Sequence, residues 1–400
     1  MKAARGICML SCMILLFPIT GCWDRVEIED VGIVLGIGFD KPSEDMKEPS
    51  QTMAVQPIQG KNKRISMMHH FAIPKHFAAK EGGLALNNYI NIVSEGDAVF
   101  DNINRLSSRL SRIPSYEHLR IIVISGELAK TFDLQNMINF LLRNTETRRT
   151  IRVMISEGKT SDIFQKKGID SNPALKLRGM AEEFHKTLLI PPLLELGDMS
   201  ENLTGKKSFI IQRVVTFGKE NKLAGAAVIK GDQGRMIGWI GEKEVVGLNW
   251  LKGGNKQTGI TKGVDPKSGE RIVYEVRTIK STIVPKVEAE QISFEVNIQT
   301  EGRLREDWAY PGNALEESFV KRAEQATEVS IKKSVETALA KTQKEYKVDV
   351  INFGKKLEIK YPKVWKQIKD DWDTTFSMLP IKVNVKVKII EFGIRGTKKG

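Results

Sequence analysis

Cysteine is scarce in this chain, with three in 400 residues, and histidine with five is scarcer than most polar residues. Cys8 and Cys12 fall inside the first apolar run, so an exported product cut after that run keeps only Cys22. One cysteine excludes an internal disulfide and any cysteine-based zinc site. Long hydrophobic runs are also missing. The apolar run at the amino end, Ile7 to Ile19, holds 13 residues; as a helix it reaches ~20 Å against a hydrocarbon core of ~30 Å. It is too short for a permanent span.

Catalytic signatures are missing too. There is no Gly-x-Ser-x-Gly elbow and no His-Glu-x-x-His helix. Gly36 and Gly38 would need a third glycine at 41 for a dinucleotide loop, and position 41 is Lys. Gly254 and Gly259 have phosphate-loop spacing, but Ile260 stands where the loop lysine belongs. His69 and His70 on a strand point to opposite faces and cannot share a metal, though either could join His76. His118 and His185 fit local hydrogen bonds better than catalysis. Carboxylate pairs such as Glu182-Glu183 and Asp370-Asp371 suit solvated helical faces. The reading is a non-enzyme with no catalytic residue, no metal and no cofactor.

What is present begins at the amino end. Lys2 and Arg5, the apolar run and then Ile19-Thr20-Gly21-Cys22 describe a secretory signal (1–21) ending in a lipid-acceptor cysteine. Small residues fit a peptidase pocket, and the thiolate is the nucleophile that receives the acyl group. Asp24, Glu27, Glu29 and Asp30 outnumber Arg25 beyond it, so lipid rather than local charge must be the tether. The whole chain carries a formal charge of +13. Its cations are mostly dispersed (Lys61, Lys63 and Arg64; Lys206 and Lys207; Lys398 and Lys399), which suits a solvated surface and not nucleic-acid binding.

Behind the anchor, Val31 to Phe39 reads as a buried strand and Gln51 to Ile58 as a second. A β-α-β-α-β alternation follows: strands at Tyr89 to Val93, Leu119 to Ile124 and Ile151 to Ile155, helices at Val99 to Leu110 and Leu134 to Leu142. Helices at Ser161 to Lys167 and Leu175 to Leu189 end at Pro191-Pro192. A meander at Phe209 to Phe217, Leu223 to Lys230 and Met236 to Ile240 then reads antiparallel. Gly253 to Asn255 and Gly259 to Gly269 look like exposed loops, followed by extended runs at Ile272 to Val284 and Val287 to Ile298. A helix spans Asn313 to Tyr346, with Val320, Ala323, Thr327, Ile331, Val335, Ala338 and Thr342 in one stripe. Trp365, Trp372 and Phe376 share a helical face that suits a core. Ile381 to Ile389 alternates strictly, with lysines on the other face. The expected fold is α+β (mixed α/β) in three domains: an N-terminal α/β domain (22–197), a middle β-rich domain (198–285) and a C-terminal α+β domain (286–400).

The segments so placed resemble the GerAC, or Ger(x)C, family of spore germination lipoproteins. The resemblance begins at Cys22-Trp23-Asp24-Arg25-Val26-Glu27-Ile28 and continues through Gly36-Ile37-Gly38-Phe39-Asp40. It returns at His118-Leu119, at Ile124-Ser125-Gly126-Glu127-Leu128-Ala129-Lys130, at Arg143 to Arg152, at Leu223 to Val228, and around Asn352-Phe353-Gly354 with Trp365 and Trp372. Gly126 departs from the pattern, where a second acidic residue is expected, and Asn352 stands for a more usual glycine. The resemblance implies three mixed α/β domains and no catalysis. It implies the C subunit of a nutrient germinant receptor, anchored through Cys22 on the outer face of the inner spore membrane. Its partners would be integral-membrane A and B subunits and the phospholipid membrane, with contact to a small-molecule germinant left open. A lipid-anchored solute-binding protein of a transporter is the alternative, and it requires two similar parallel-sheet lobes around a cleft.

Overall fold

The glycine-interleaved run after Asp30 forms β1 (Val31–Asp40), which lies inside a sheet of ten strands. The computed structural model describes residues 30–42, 64–73, 88–166, 172–254, 259–289, 291–308 and 316–391. Beside β1 on one side runs β5 (Ile121–Ser125), parallel, and next to it β6 (Arg152–Ser156), also parallel. All five β5 residues are buried, as an apolar strand covered on both faces must be. On the other side β2 (Ile65–Ala72) and β3 (Tyr89–Gly96) add in antiparallel sense. The strand expected at Gln51 to Ile58 lies outside the described residues. β2 gives no alternation because both its faces are covered, and two histidines interrupt its apolar run.

One face of this sheet is covered by α1 (Val99–Ser107) and α3 (Leu134–Arg143), the latter burying Leu134, Met137, Ile138 and Leu141. The other face is covered by α4 (Thr160–Gln165) and α5 (Pro173–Glu182). The helix expected to run to Leu189 ends at Glu182, and a 3-10 turn follows at Glu183–His185. The meander β8 (Phe209–Phe217), β9 (Glu220–Lys230) and β10 (Arg235–Ile240) is antiparallel, as expected. Its first strand pairs in parallel with β6, so the meander extends the first sheet across residue 197 instead of forming a sheet of its own.

After α7 (Glu242–Lys252) comes a second, four-stranded sheet in the order β11-β12-β13-β14. Its strands are β11 (Ile260–Val264), β12 (Arg271–Glu288), β13 (Gln291–Asp307) and β14 (Ile381–Glu391). β11 occupies a stretch expected to be a loop. Gly263 permits it, since a Cβ there would crowd the backbone of Ala326. β12 runs straight through Pro285, where a break between two strands was expected. Pro285 faces Phe294, whose amide bonds Pro380 O on the far side, so this pair exchanges no ladder bond. The missing N–H of Pro285 points to an edge that β11, paired only along Arg271 to Glu275, does not reach.

The inner face of this sheet packs on α8 (Glu317–Leu339), which ends in a π turn at Ala340–Glu345. The stripe expected along it is buried at Ala323, Thr327, Ile331, Val335, Ala338 and Thr342. Thr327 and Thr342 donate to the carbonyls of Ala323 and Ala338, which answers both buried hydroxyls. Glu324 and Glu328 accept from the Ile389 and Val387 amides and so cap part of the open edge of β14. The mixed α/β architecture expected from the sequence is the one observed, in two mixed sheets.

The two halves meet where α7 crosses α8. A Cβ at Gly247 would overlap the Ser334 carbonyl oxygen and the Ala338 methyl. Gly247→Val is expected to cost about 1–3 kcal/mol through overpacking, read as a fall in Tm. Gly179, with open space around its Cβ position in α5, is the contrast. Gly179→Ala is expected to add about 0.5–1 kcal/mol by restricting the unfolded chain.

Candidate functional site

Because β1, β5 and β6 are parallel, their last residues Asp40, Ser125 and Ser156 come together at one end of the sheet. In open α/β sheets, ligands gather at this end. Here the polar groups are engaged with one another. Asp40 accepts from the Thr160 amide at 3.1 Å and from its hydroxyl, capping α4 from 120 residues away. Gly36 and Gly38 make this approach possible, since a Cβ on either would strike Phe164 or Thr160. Burial pushes the Asp40 carboxyl up, opposed by hydrogen bonds from Thr160 and Ser125. Ser125 also caps α2 (Gly126–Thr131), Lys41 pairs with Glu127 at 2.8 Å, and Arg213 bonds Glu157. The Arg213 guanidinium lies 4.8 Å from the centre of the Trp239 ring. The cluster is a latch that ties strand ends to helices.

His69 and His70 are placed as structural groups. His69 and His70 point to opposite faces of β2. His69 Nε2 meets the Tyr116 hydroxyl at 3.0 Å, and burial lowers its pKa to about 3. His70 lies between Asn91 Oδ1 (2.6 Å) and Asn172 Oδ1 (3.1 Å), with the rings of Tyr89 and Phe164 tilted against it. His118 and His185 are exposed, and His76 lies outside the described residues. Among the described residues no three His, Cys, Asp or Glu side chains converge as a metal site.

A second polar centre sits in the C-terminal core. The buried Asp349 carboxylate accepts from the amides of Ile351 (3.2 Å) and Gly354 (2.8 Å) and from Trp372 Nε1 (3.1 Å). It thereby fixes the start of α9 (Phe353–Lys360) and the ring of Trp372 together. Burial pushes the Asp349 carboxyl up, and these donors hold it back. Trp365 and Trp372 stand 5.2 Å apart, Trp372 and Phe376 5.7 Å, and Phe353 meets Phe294 edge-on at 5.1 Å. The aromatic row is core, as expected, but not on one helix. Trp365 lies on α10 (Pro362–Ile368), and the other two lie on α11 (Trp372–Met378) beyond a 3-10 turn.

Comparison with known proteins accounts for nearly the whole chain. A family model described as "Spore germination protein N-terminal domain" matches residues 24–216. A second, "Spore germination B3/ GerAC like, C-terminal", matches residues 224–393. Spore germination protein YndF of Bacillus subtilis (strain 168) is 35% identical over 393 residues, 96% of either chain. Spore germination protein A3 of the same organism is 32% identical over 407 residues, 99% of either chain. The chain belongs to the GerAC family of spore germination proteins. Its fold is also that of the crystal structure of the GerBC protein, with a TM-score of 0.59 at 23% identity over 83% of this chain and 95% of that one. A role in spore germination follows from this membership.

The structure explains both departures from the GerAC pattern. At Gly126 a Cβ would stand 2.6 Å from the Trp239 ring, so the acidic residue expected there has no room beside this tryptophan. Asn352 has φ +67°, a left-handed conformation that glycine adopts freely and asparagine tolerates best among the rest. Next to it, a Cβ on Gly354 would meet Trp365 and Trp372 at 2.8 and 2.9 Å, which links that motif glycine to both motif tryptophans. Sequence reading missed Asp40, Asp349 and Trp239 as organising residues, because their partners lie far away along the chain. Cys22 lies outside the described residues.

Gly126→Glu is expected to lower Tm by displacing Trp239 from under Arg213. Adding Trp239→Ala should restore part of the loss; an unchanged Tm in the single variant would contradict the packing. Asp373 gives a pH signature. Burial raises its pKa from 3.8 to about 6, helped by Asp232 and Asp349 and opposed by Lys230. The folded state therefore binds the proton more tightly, and this group makes stability fall as pH rises from 3.8 to about 6. Asp373→Asn should remove that slope, so its Tm advantage over the parent grows from pH 4 to pH 6 and then levels off.

Proposed function

We propose that this chain is the lipid-anchored C subunit of a nutrient germinant receptor. Its acylated Cys22 holds the folded body to the outer face of the inner spore membrane. There it couples or scaffolds integral-membrane A and B subunits during germination. Membership of the GerAC family along the full length carries this reading, joined to the Ile19-Thr20-Gly21-Cys22 signal. Two acyl chains anchor stably where one is marginal, at ~0.8 kcal/mol for each buried CH₂. Confinement to the membrane raises the effective concentration of the body near its partners. No helix among the described residues is long and apolar enough to cross a membrane.

The strand-end latch and the Asp349 centre spend their polar groups on internal contacts, which suits a docking module better than an enzyme. The solute-binding alternative requires two similar parallel lobes. Among the described residues the sheets have ten strands and four, in unlike orders, and the family membership points to germination instead.

Cys22→Ala is expected to leave the fold and Tm unchanged, to release the protein from spore membranes and to slow germination on nutrients. Retention of the variant on membranes that lack the A and B subunits would disprove the lipid tether.

A further inference from the structure

The second sheet covers one face with α8 and the aromatic core and leaves its other face open. Strand register decides what stands on that open face. Lys280 of β12, Gln299 of β13 and Lys386 of β14 form one row, with Thr278, Glu301 and Lys388 in the next. Further along, Glu295 stands beside Lys382 and pairs with Lys286 at 2.6 Å. Five exposed lysines (280, 286, 382, 386 and 388) thus share this stretch of the face with Glu288, Glu295 and Glu301. Among the described residues Lys280, Lys382, Lys386 and Lys388 make no ion pair within 4.0 Å, whereas Lys286 does. A shallow cavity of about 330 Å³ opens between them, lined by Lys280, Gln299, Glu301, Lys386 and Lys388 among others.

Like charges on neighbouring rows repel. Strands ~4.8 Å apart place these ammonium groups within one screening length, ~8–10 Å. Lysines outnumber glutamates on this face, and four of the five make no ion pair among the described residues, so the arrangement favours an anionic neighbour. The neighbour it fits is broad, because two strands flanking β13 present the lysines along one face of the sheet. Stacked bases fit it poorly, since the outward residues between the lysines are Thr278, Thr282, Asn297, Gln299 and Asn384, and the aromatic rings point inward. We propose that the open face centred on Lys280, Lys386 and Lys388 lies against an anionic phospholipid bilayer. The proposal rests on the membrane residence argued above and adds which side of the body faces the lipid.

The test is lysine-reactive mass labelling of the natively produced full-length protein bound to vesicles. One set contains phosphatidylglycerol in phosphatidylcholine, the other phosphatidylcholine alone. Labelling of Lys280, Lys386 and Lys388 is expected to fall about fivefold on the anionic vesicles, the factor for one lysine near such a surface. It should recover in salt that shortens screening to ~3 Å. Lys332 and Lys333, exposed on α8, should label equally throughout. The K280E/K386E/K388E variant should keep its Tm and lose the protection of Lys382. Equal labelling on both vesicle types would overturn the proposal. So would equal protection by inorganic phosphate or single-stranded nucleic acid, or protection that needs the A and B subunits. Failure of the tether reads differently, as loss of the protein from both vesicle types.

Discussion

The packing of α7 against α8 at Gly247 holds the two halves of this protein as one body. α7 leaves the last strand of the first sheet, and α8 covers the inner face of the second, so their spacing sets the relation between the sheets. Absence of a single side chain lets the Ser334 carbonyl approach the α7 backbone. A second close fit reinforces it. The ring of Tyr346 fills the space above Gly238 in β10, and its hydroxyl donates to Trp239 O at 2.8 Å. The bond from Asn249 in α7 to the carbonyls of Leu188 and Ile190 then fastens the segment before Pro191 beneath the same helix.

Carboxylates held by several donors do similar work inside each half. Asp40 ends a strand and caps a helix; Asp349 caps a helix start and fixes an indole. Each is costly to bury, and each offsets that cost with several donors. Several of the residues that carry the GerAC resemblance cluster on these two centres: Gly36, Gly38, Asp40, Ser125 and Gly126 at the strand ends, Asn352, Gly354, Trp365 and Trp372 around Asp349. They read as fold determinants.

Much of the element sequence was legible. Continuous apolar runs marked β1, β5 and β6, helical stripes marked α3 and α8, and strict alternation marked β13 and β14. Reading failed where two histidines interrupt the apolar run of a covered strand, as in β2, and where an edge strand is short and half exposed, as in β11. It also failed at Pro285, because a proline breaks a strand only when its nitrogen faces a partner, and local sequence does not tell which way it faces.

By itself the sequence determined the mixed α/β class and the family, since these depend on local order and composition. Tertiary structure decided that the meander joins the first sheet, that Gly126 answers Trp239, and that lysines spaced along two strands gather on one face. Each of these is a contact between residues distant along the chain. The closeness of such residues comes from register and packing, which periodicity within one segment does not contain.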